Sequence, residues 1–434
     1  MKYYSLNYNS ATVGFLEAVR KGLAPDRGLY FPETIPSLSQ NFIDNIPNLS
    51  THELAFNAIS PFVGNDIPKE RLRTIIEETL SFEFPIIPIN STIASLELFQ
   101  GPTLAFKDVG ARFMARCLAY AHELKEQKKL TILVATSGDT GGAVADGFFK
   151  VKGIDVVILY PKGKVSEVQE KQLTTLGENI TALEVDGTFD DCQNMVKSAF
   201  IDPELTGSVA LTSANSINIA RWLSQMFYYF IAYKNRPHPH KDFIISVPSG
   251  NFGNLCAGLV AYKMGLPIKH FVASTNINDT VPSYLKSGNY EPKKSVSTLS
   301  NAMDVGDPSN FIRIQKLFNN DFHKLKKVVS GYAYTDTQTK KALKEIYNEN
   351  GYIADPHGAV SYLGLKAYLK EQENHNAQGI FFETAHPIKF APTVEATLKL
   401  KIDPPKQVEK ILNKPKLSLP ISDYKSLKDF FLER

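Results

Sequence analysis

The stretch Leu130-Thr131-Ile132-Leu133-Val134-Ala135, followed by Thr136-Ser137-Gly138-Asp139-Thr140-Gly141-Gly142, decides how the rest of the chain reads. Its first half is a short β-branched run of the length a fully buried strand needs, closed by small polar residues that let the chain turn. A helical pattern comes next, so the unit is strand, loop, helix. The unit recurs. Residues 155–160 read as a strand, followed by Pro161-Lys162-Gly163-Lys164 and a helix over 166–176. Residues 180–185 and 209–212 continue the series, and 243–247 run into Pro248-Ser249-Gly250-Asn251-Phe252-Gly253-Asn254 ahead of a helix over 255–264. Strands at 270–274 and 379–383 close it. Alternation of short apolar strands with amphipathic helices predicts an α/β fold of parallel sheets with helices on both faces. No short-period repeat is present.

Outward from this series, the first 90 residues differ. They carry Pro-rich turns at Pro25, Pro32 and Pro36, a helix over 51–62, and no Gly-rich loop of the phosphate-binding kind. A length of 434 residues also exceeds one ordinary core. The expected organisation is a small N-terminal domain over 1–90, an α/β domain over 91–235 and a second α/β domain over 236–434. The breaks suggested are Arg236-Pro237-His238-Pro239-His240-Lys241 and the polar segment 286–300. His238 and His240 alternate with prolines and have no Cys or carboxylate beside them, so they read as a surface turn; no metal is expected.

Bulk composition removes whole classes of function. Net charge is +3, from 48 basic against 45 acidic residues, which gives no case for nucleic acid or another polyanion as partner. The cysteines, Cys117, Cys192 and Cys256, are far apart and form no CxxC pair, so a reducing compartment fits better than a disulfide framework. The opening Met1-Lys2-Tyr3-Tyr4-Ser5 lacks the apolar run of a signal peptide, and the strongly apolar stretch at 226–233 is too short to span a bilayer. A cytoplasmic protein with no membrane partner is expected.

Three of the loops are suited to anions. A helix N-terminus presents unpaired N–H groups and the positive end of the helix dipole, and glycines allow close backbone approach. Ser249-Gly250-Asn251-Phe252-Gly253-Asn254 has that composition in the strand–loop–helix context, although a plain tight turn explains it equally well. Residues 136–142 add Ser137, Asp139 and Thr140, a mixture suited to a carboxylate and a ring oxygen, or equally to an N-capping loop. In Thr212-Ser213-Ala214-Asn215-Ser216-Ile217-Asn218-Ile219-Ala220-Arg221, Asn215 and Ser216 stand where a helix is expected to begin. Arg221 follows about one and a half turns later as a second phosphate clamp, or as an ordinary surface arginine. The fourth feature is Gly101-Pro102-Thr103-Leu104-Ala105-Phe106-Lys107-Asp108, where apolar and small residues surround a lysine ahead of a helical run over 109–118. Burial would lower the pKa of that amine and favour imine formation, but most lysines are merely solvated.

Taken in order, Lys107 in its setting, Ser137-Gly138-Asp139-Thr140-Gly141 and Ser249–Asn254 resemble the tryptophan-synthase-β-like (fold type II) pyridoxal-phosphate enzymes. Within that group the chain is most similar to the bacterial and fungal threonine-synthase branch. The likeness lies in Asp26-Arg27-Gly28-Leu29-Tyr30-Phe31-Pro32, Gly101-Pro102-Thr103, the segment from Asn301-Ala302-Met303-Asp304 to Asn310, and Thr384-Ala385-His386-Pro387-Ile388-Lys389-Phe390. The resemblance implies pyridoxal 5'-phosphate as cofactor, O-phosphohomoserine as the small-molecule substrate, and threonine and phosphate as products. It implies Lys107 as the Schiff-base lysine and proton shuttle, and Gly250, Asn251, Phe252, Gly253 and Asn254 as the cofactor-phosphate loop. It further implies Ser137, Gly138, Asp139, Thr140 and Gly141 at the substrate carboxylate, with Asp139 near the ring hydroxyl oxygen. Many relatives have Asn where Asp139 stands. Thr384 falls where a hydroxyl meets the pyridine nitrogen, and Asn215, Ser216 and Arg221 where the substrate phosphate binds, with Lys162 as a possible helper. A monomer or weak homodimer is implied. The rivals are a serine or threonine dehydratase or other β-replacement enzyme on the same fold, and a catalytically silent relative that binds a phospho-ligand.

Overall fold

The structure, a computed structural model, describes residues 1–124, 129–372 and 376–433. In chain order its strands are β1 (Tyr3–Ser5), β2 (Tyr30–Pro32), β3 (Ile86–Pro88), β4 (Ile93–Glu97), β5 (Leu130–Ala135), β6 (Ile154–Pro161), β7 (Ile180–Val185), β8 (Ala210–Thr212), β9 (Asp242–Pro248), β10 (His270–Thr275), β11 (Val329–Ala333), β12 (Ala377–Glu383) and β13 (Ser418–Ile421). β1 and β2 form a small antiparallel pair. One sheet has the order β13-β7-β6-β5-β8 and is wholly parallel. The other runs β11-β10-β9-β12-β4-β3, parallel except where β3 turns back on β4.

The sequence explains why these strands are central. In β5 and β6, Ile132, Val134, Val156 and Ile158 pack into the large apolar core. Their neighbours Leu133, Val157 and Leu159 pack with Leu183 and Met195 into a second cluster on the opposite face. The period of two sends successive side chains to opposite faces, so a strand covered on both faces must be apolar throughout. This is the α/β arrangement that the strand series predicts.

The two sheets do not follow the breaks expected near residues 90 and 235. β4 joins the second sheet beside β12, ahead of every strand of the first sheet in the chain, and β13 returns from the far end to pair with β7. The stretch 1–90 packs its apolar side chains against the rest of the molecule. Tyr3, Phe15 and Tyr30 belong to the same apolar cluster as Trp222 and Phe227, and the Phe31 and Trp222 rings stack 5.8 Å apart. Composition marks where surface turns fall, whereas sheet membership is decided by pairing partners that lie hundreds of residues away.

Candidate active site

A cavity opens at the carboxyl ends of strands from both sheets, the place where open α/β sheets receive ligands. Lys107, Ser137, Asp139, Thr140, Asn215, Ser216, Arg221, Gly250, Asn251, Phe252, Gly253, Asn254 and Thr384 all line it. Gly138 and Gly141 stand behind its wall. Their N–H groups donate to Thr136 Oγ1, and a Cβ on Gly141 would come within 2.6 Å of Leu173, so they shape the loop. Lys162 lies exposed beyond β6 and away from the cavity.

Lys107 is the first residue of the helix Lys107–Leu124, which starts two residues earlier than its sequence pattern indicates. The segment before it is fixed by the segment after β12: the Phe106 N–H donates to the Thr384 carbonyl at 2.9 Å, the His386 N–H donates to the Leu104 carbonyl at 3.0 Å, and Ala105 bridges Ala385. The Lys107 amine lies 3.7 Å from Asp139 Oδ2. Burial lowers its pKa; Asp139 opposes that shift, while the charges of Lys389 and Arg221 reinforce it.

Two buried carboxylates flank this lysine in opposite states. Asp108 is held by the N–H and hydroxyl of Thr103 and is pushed up to about 7 by burial, with Asp146 adding to the rise. Burial would raise Asp139 as well, but Lys389 and Lys107 override it and hold this carboxyl well below the ordinary range. Lys389 Nζ sits 2.8 Å from Asp139 Oδ1, and Gln169 Nε2 donates to the same oxygen at 3.0 Å.

The 249–254 loop is a cradle of backbone. Phe252 adopts a left-handed conformation, φ 59°, and the helix Gly253–Lys263 starts there with no side-chain cap. Among the described residues, the N–H groups of Gly250 to Asn254 donate to no protein acceptor. Unpaired donors at a helix start are the requirement for holding an anion. Gly250 has no room for a side chain, since a Cβ there would lie 2.6 Å from the Ala302 carbonyl oxygen. Asn251 Oδ1 accepts from the N–H and hydroxyl of Ser309, which ties the loop to the 301–310 segment. Buried Asn254 Nδ2 has no partner.

The third loop differs from expectation. The helix begins at Ile219, not at Asn215 or Ser216, and its cap is Asn218, whose Oδ1 accepts from the Ala220 N–H while its Nδ2 donates to the Val19 carbonyl. Asn215 and Ser216 therefore lie in a turn ahead of the helix, closed by the Asn218 N–H on the Asn215 carbonyl at 3.0 Å. Arg221 folds back to the Ala214 carbonyl, is 4% exposed, and has no carboxylate partner among the described residues; its Nε has no partner at all. Burial lowers its pKa. A buried guanidinium on a cavity wall, with no carboxylate in contact, has the chemistry to take an anion.

Sequence reasoning assigned no role to two further groups. His357 lines the cavity; its Nδ1 is 2.6 Å from Asp355, and its Nε2 accepts from the Ala302 N–H. Lys389 is the other. His357 lies outside the segments that carry the resemblance; Lys389 lies within one of them, 384–390, but its partner Asp139 is distant in sequence. Among the described residues, no group of three or more His, Cys, Asp or Glu side chains is arranged to hold a metal, and no helix is long and apolar enough to cross a membrane.

Comparison with known proteins bears on this geometry. Residues 88–380 match the pyridoxal-phosphate-dependent enzyme family, residues 2–80 the threonine synthase N terminus, and 359–430 the threonine synthase C-terminal family. The chain is 46% identical to threonine synthase from Haemophilus influenzae over all of both chains, and 44% identical to that of Escherichia coli over 100% of this chain and 99% of the relative. The crystal structure of threonine synthase from Escherichia coli superposes with a TM-score of 0.92 at 43% identity over 100% of both chains. A threonine synthase from Brucella melitensis described as PLP bound gives 0.92 at 32% identity, covering 100% of this chain and 99% of that one.

Proposed function

The chain belongs to the threonine synthase family of pyridoxal-phosphate-dependent enzymes, and from that premise we propose that its cavity converts O-phospho-L-homoserine and water to L-threonine and phosphate, with Lys107 carrying the cofactor. The observation that carries this reading is that one cavity is lined both by the unpaired N–H groups of 250–254 and by the buried guanidinium of Arg221, chemistry suited to two anions.

The residues present fit the cofactor. The cradle, with its tight approach at Gly250, would hold the cofactor phosphate; Lys107 would carry its aldehyde carbon, and Thr384 would face the ring nitrogen. A neutral hydroxyl there, in place of a carboxylate, would leave that nitrogen largely unprotonated. Asp139 would stand at the ring oxygen. When bound, the cofactor supplies an electron sink that acidifies the substrate carbon next to the amine. The chain's own residues do the rest. Lys107 Nζ, its proton affinity reduced by burial, is the base for the protons on Cα and then Cβ. Ser137 and Thr140 orient the substrate carboxylate. Asn215, Ser216 and Arg221 hold the γ-phosphate and accept its growing charge as it leaves. We place the enzyme in the cytoplasm as a monomer or weak homodimer, consistent with three free, buried cysteines.

Phosphate release from O-phosphohomoserine, followed with the visible cofactor spectrum, tests the reading. Lys107→Ala is expected to lose both. A Lys107→Ala protein with normal spectrum and turnover would overturn it, and deamination of serine without phosphate release would favour the dehydratase reading.

A further inference from the structure

Lys389 is a buried cation that the proposed chemistry does not use. Its side chain is 0% exposed, and Nζ makes two contacts of 2.8 Å, one to Asp139 Oδ1 and one to the Thr103 carbonyl. Gln172 Nε2 donates to that same carbonyl at 2.9 Å, and Thr103 in turn donates its N–H to Asp108. One ammonium thus ties the loop bearing Asp139 to the segment leading into Lys107.

Charge bookkeeping gives this tie a chemical meaning. Asp139 lies between two lysines, but Lys107 is the one whose nitrogen changes its bonding in use. Whenever Lys107 is not a free ammonium, Lys389 is the cation left in contact with a buried carboxylate, and a buried carboxylate without a cation takes up a proton. The other charged groups near this pair are Arg221, Asp355 and Asp108, whose own step near pH 7 is present in every variant and so is not the added one, with His386 three residues before Lys389. Neither Arg221 nor Asp355 touches Asp139 among the described contacts.

We propose that Lys389 is a positioning residue: the permanent counter-ion of Asp139, which keeps that carboxylate ionised and fixed in place whatever the state of Lys107. The proposal rests on the assignment of Lys107 as the cofactor-bearing lysine. Lys389 touches neither cofactor nor substrate in this scheme and acts through Asp139. Sequence separation is why it escapes local reading, since the partners stand 250 positions apart.

The test uses the holoenzyme in four forms: the parent, Lys389→Met, Lys389→Arg, and Lys389→Met combined with Asp139→Asn. The visible cofactor absorbance is titrated between about pH 5 and 9, the range in which an unpaired buried carboxyl titrates. Lys389→Met is expected to add a titration step that the parent lacks and to lower kcat roughly 100-fold with little change in KM, the pattern of an interaction needed in the transition state. Lys389→Arg should remove the added step. In the charge-neutral double variant the step should also be absent, because no carboxylate remains to titrate. A Lys389→Met enzyme with the parent's titration, or an added step that survives Asp139→Asn, overturns the proposal. Melting of each apoprotein reports folding independently; if Lys389→Met does not fold, Lys389→Gln takes its place with the same two outcomes. Lys107→Ala in the parent keeps the underlying assignment separate: retained absorbance there refutes the role of Lys107 whatever the Lys389 variants show.

Discussion

Arg221 and Arg313 are both buried guanidiniums, 4% and 0% exposed, around the same loop; the Nε of each lacks a partner, but their other nitrogens are provided for differently. Arg313 donates to the carbonyls of Ser216, Ile217 and Tyr30 and to Asn310 Oδ1, and it lies 4.3 Å over the Trp222 ring. Arg221 has the Ala214 carbonyl and an open cavity. Burial depresses the pKa of both. At Arg313 four acceptors within the protein offset that desolvation; at Arg221 the chain supplies one carbonyl and the charge of Asp108, and the rest of the guanidinium is what the proposed function assigns to the substrate phosphate.

The contrast is open to attack from several directions. The largest effect falls on Arg313→Met, which strands four acceptors and unfastens the 216–217 loop from the N-terminal segment. The unfolding free energy in urea should drop by about 3–5 kcal/mol. A loss below about 1 kcal/mol would mean that the two arginines are not different in kind. Arg221→Met should reverse the pattern: kcat/KM for O-phosphohomoserine falls about 30- to 100-fold, mostly through KM, while stability holds or rises. Cofactor loss as the main effect would place Arg221 on the wrong phosphate.

Acidity sharpens the comparison next. Asp108, whose charge acts on Arg221, has a folded pKa of about 7, above its unfolded value, so its proton binds more tightly in the folded protein. Its contribution is therefore fully present below the unfolded pKa near 4 and is lost as pH rises through 7. Between pH 5 and 7 the parent should lose about 2 kcal/mol relative to Asp108→Asn in paired urea titrations. Equal slopes would remove the raised carboxyl from the neighbourhood of Arg221. The smallest effect is from inorganic phosphate. At ten times its dissociation constant it should stabilise the parent apoprotein by about 1.4 kcal/mol, and Arg221→Met less, with Arg313→Met keeping its response.

How much of this was legible beforehand depends on distance along the chain. The strands of the series 130–135, 154–161 and 180–185 stand within a residue of their sequence reading, because a run of apolar residues between turn residues is a local signal. The 250–254 cradle was legible for the same reason. Lys107 was not convincing alone; its setting acquired meaning in combination with the anion loops. The start of the helix at Ile219 was misplaced since Asn215, Ser216 and Asn218 are all competent caps. Asn218 prevails by reaching the Val19 carbonyl, a contact no local window contains. The contact of Lys389 with Asp139 is of the same kind, although Lys389 stands inside a segment that carries the resemblance. The uncompensated state of Arg221 appears only once every neighbouring side chain has been placed.

The sheet order carries a consequence for synthesis. β4 is made before every strand of the first sheet and must wait for β12, while β7 must wait for β13 at residues 418–421. A nascent chain leaving the ribosome with residue 300 in the tunnel has neither sheet complete, and its waiting strands present open edges. Neither sheet can therefore be completed until β12 and β13 have been made, and a gene divided between residues 212 and 242 would yield halves that each lack strands the other encodes.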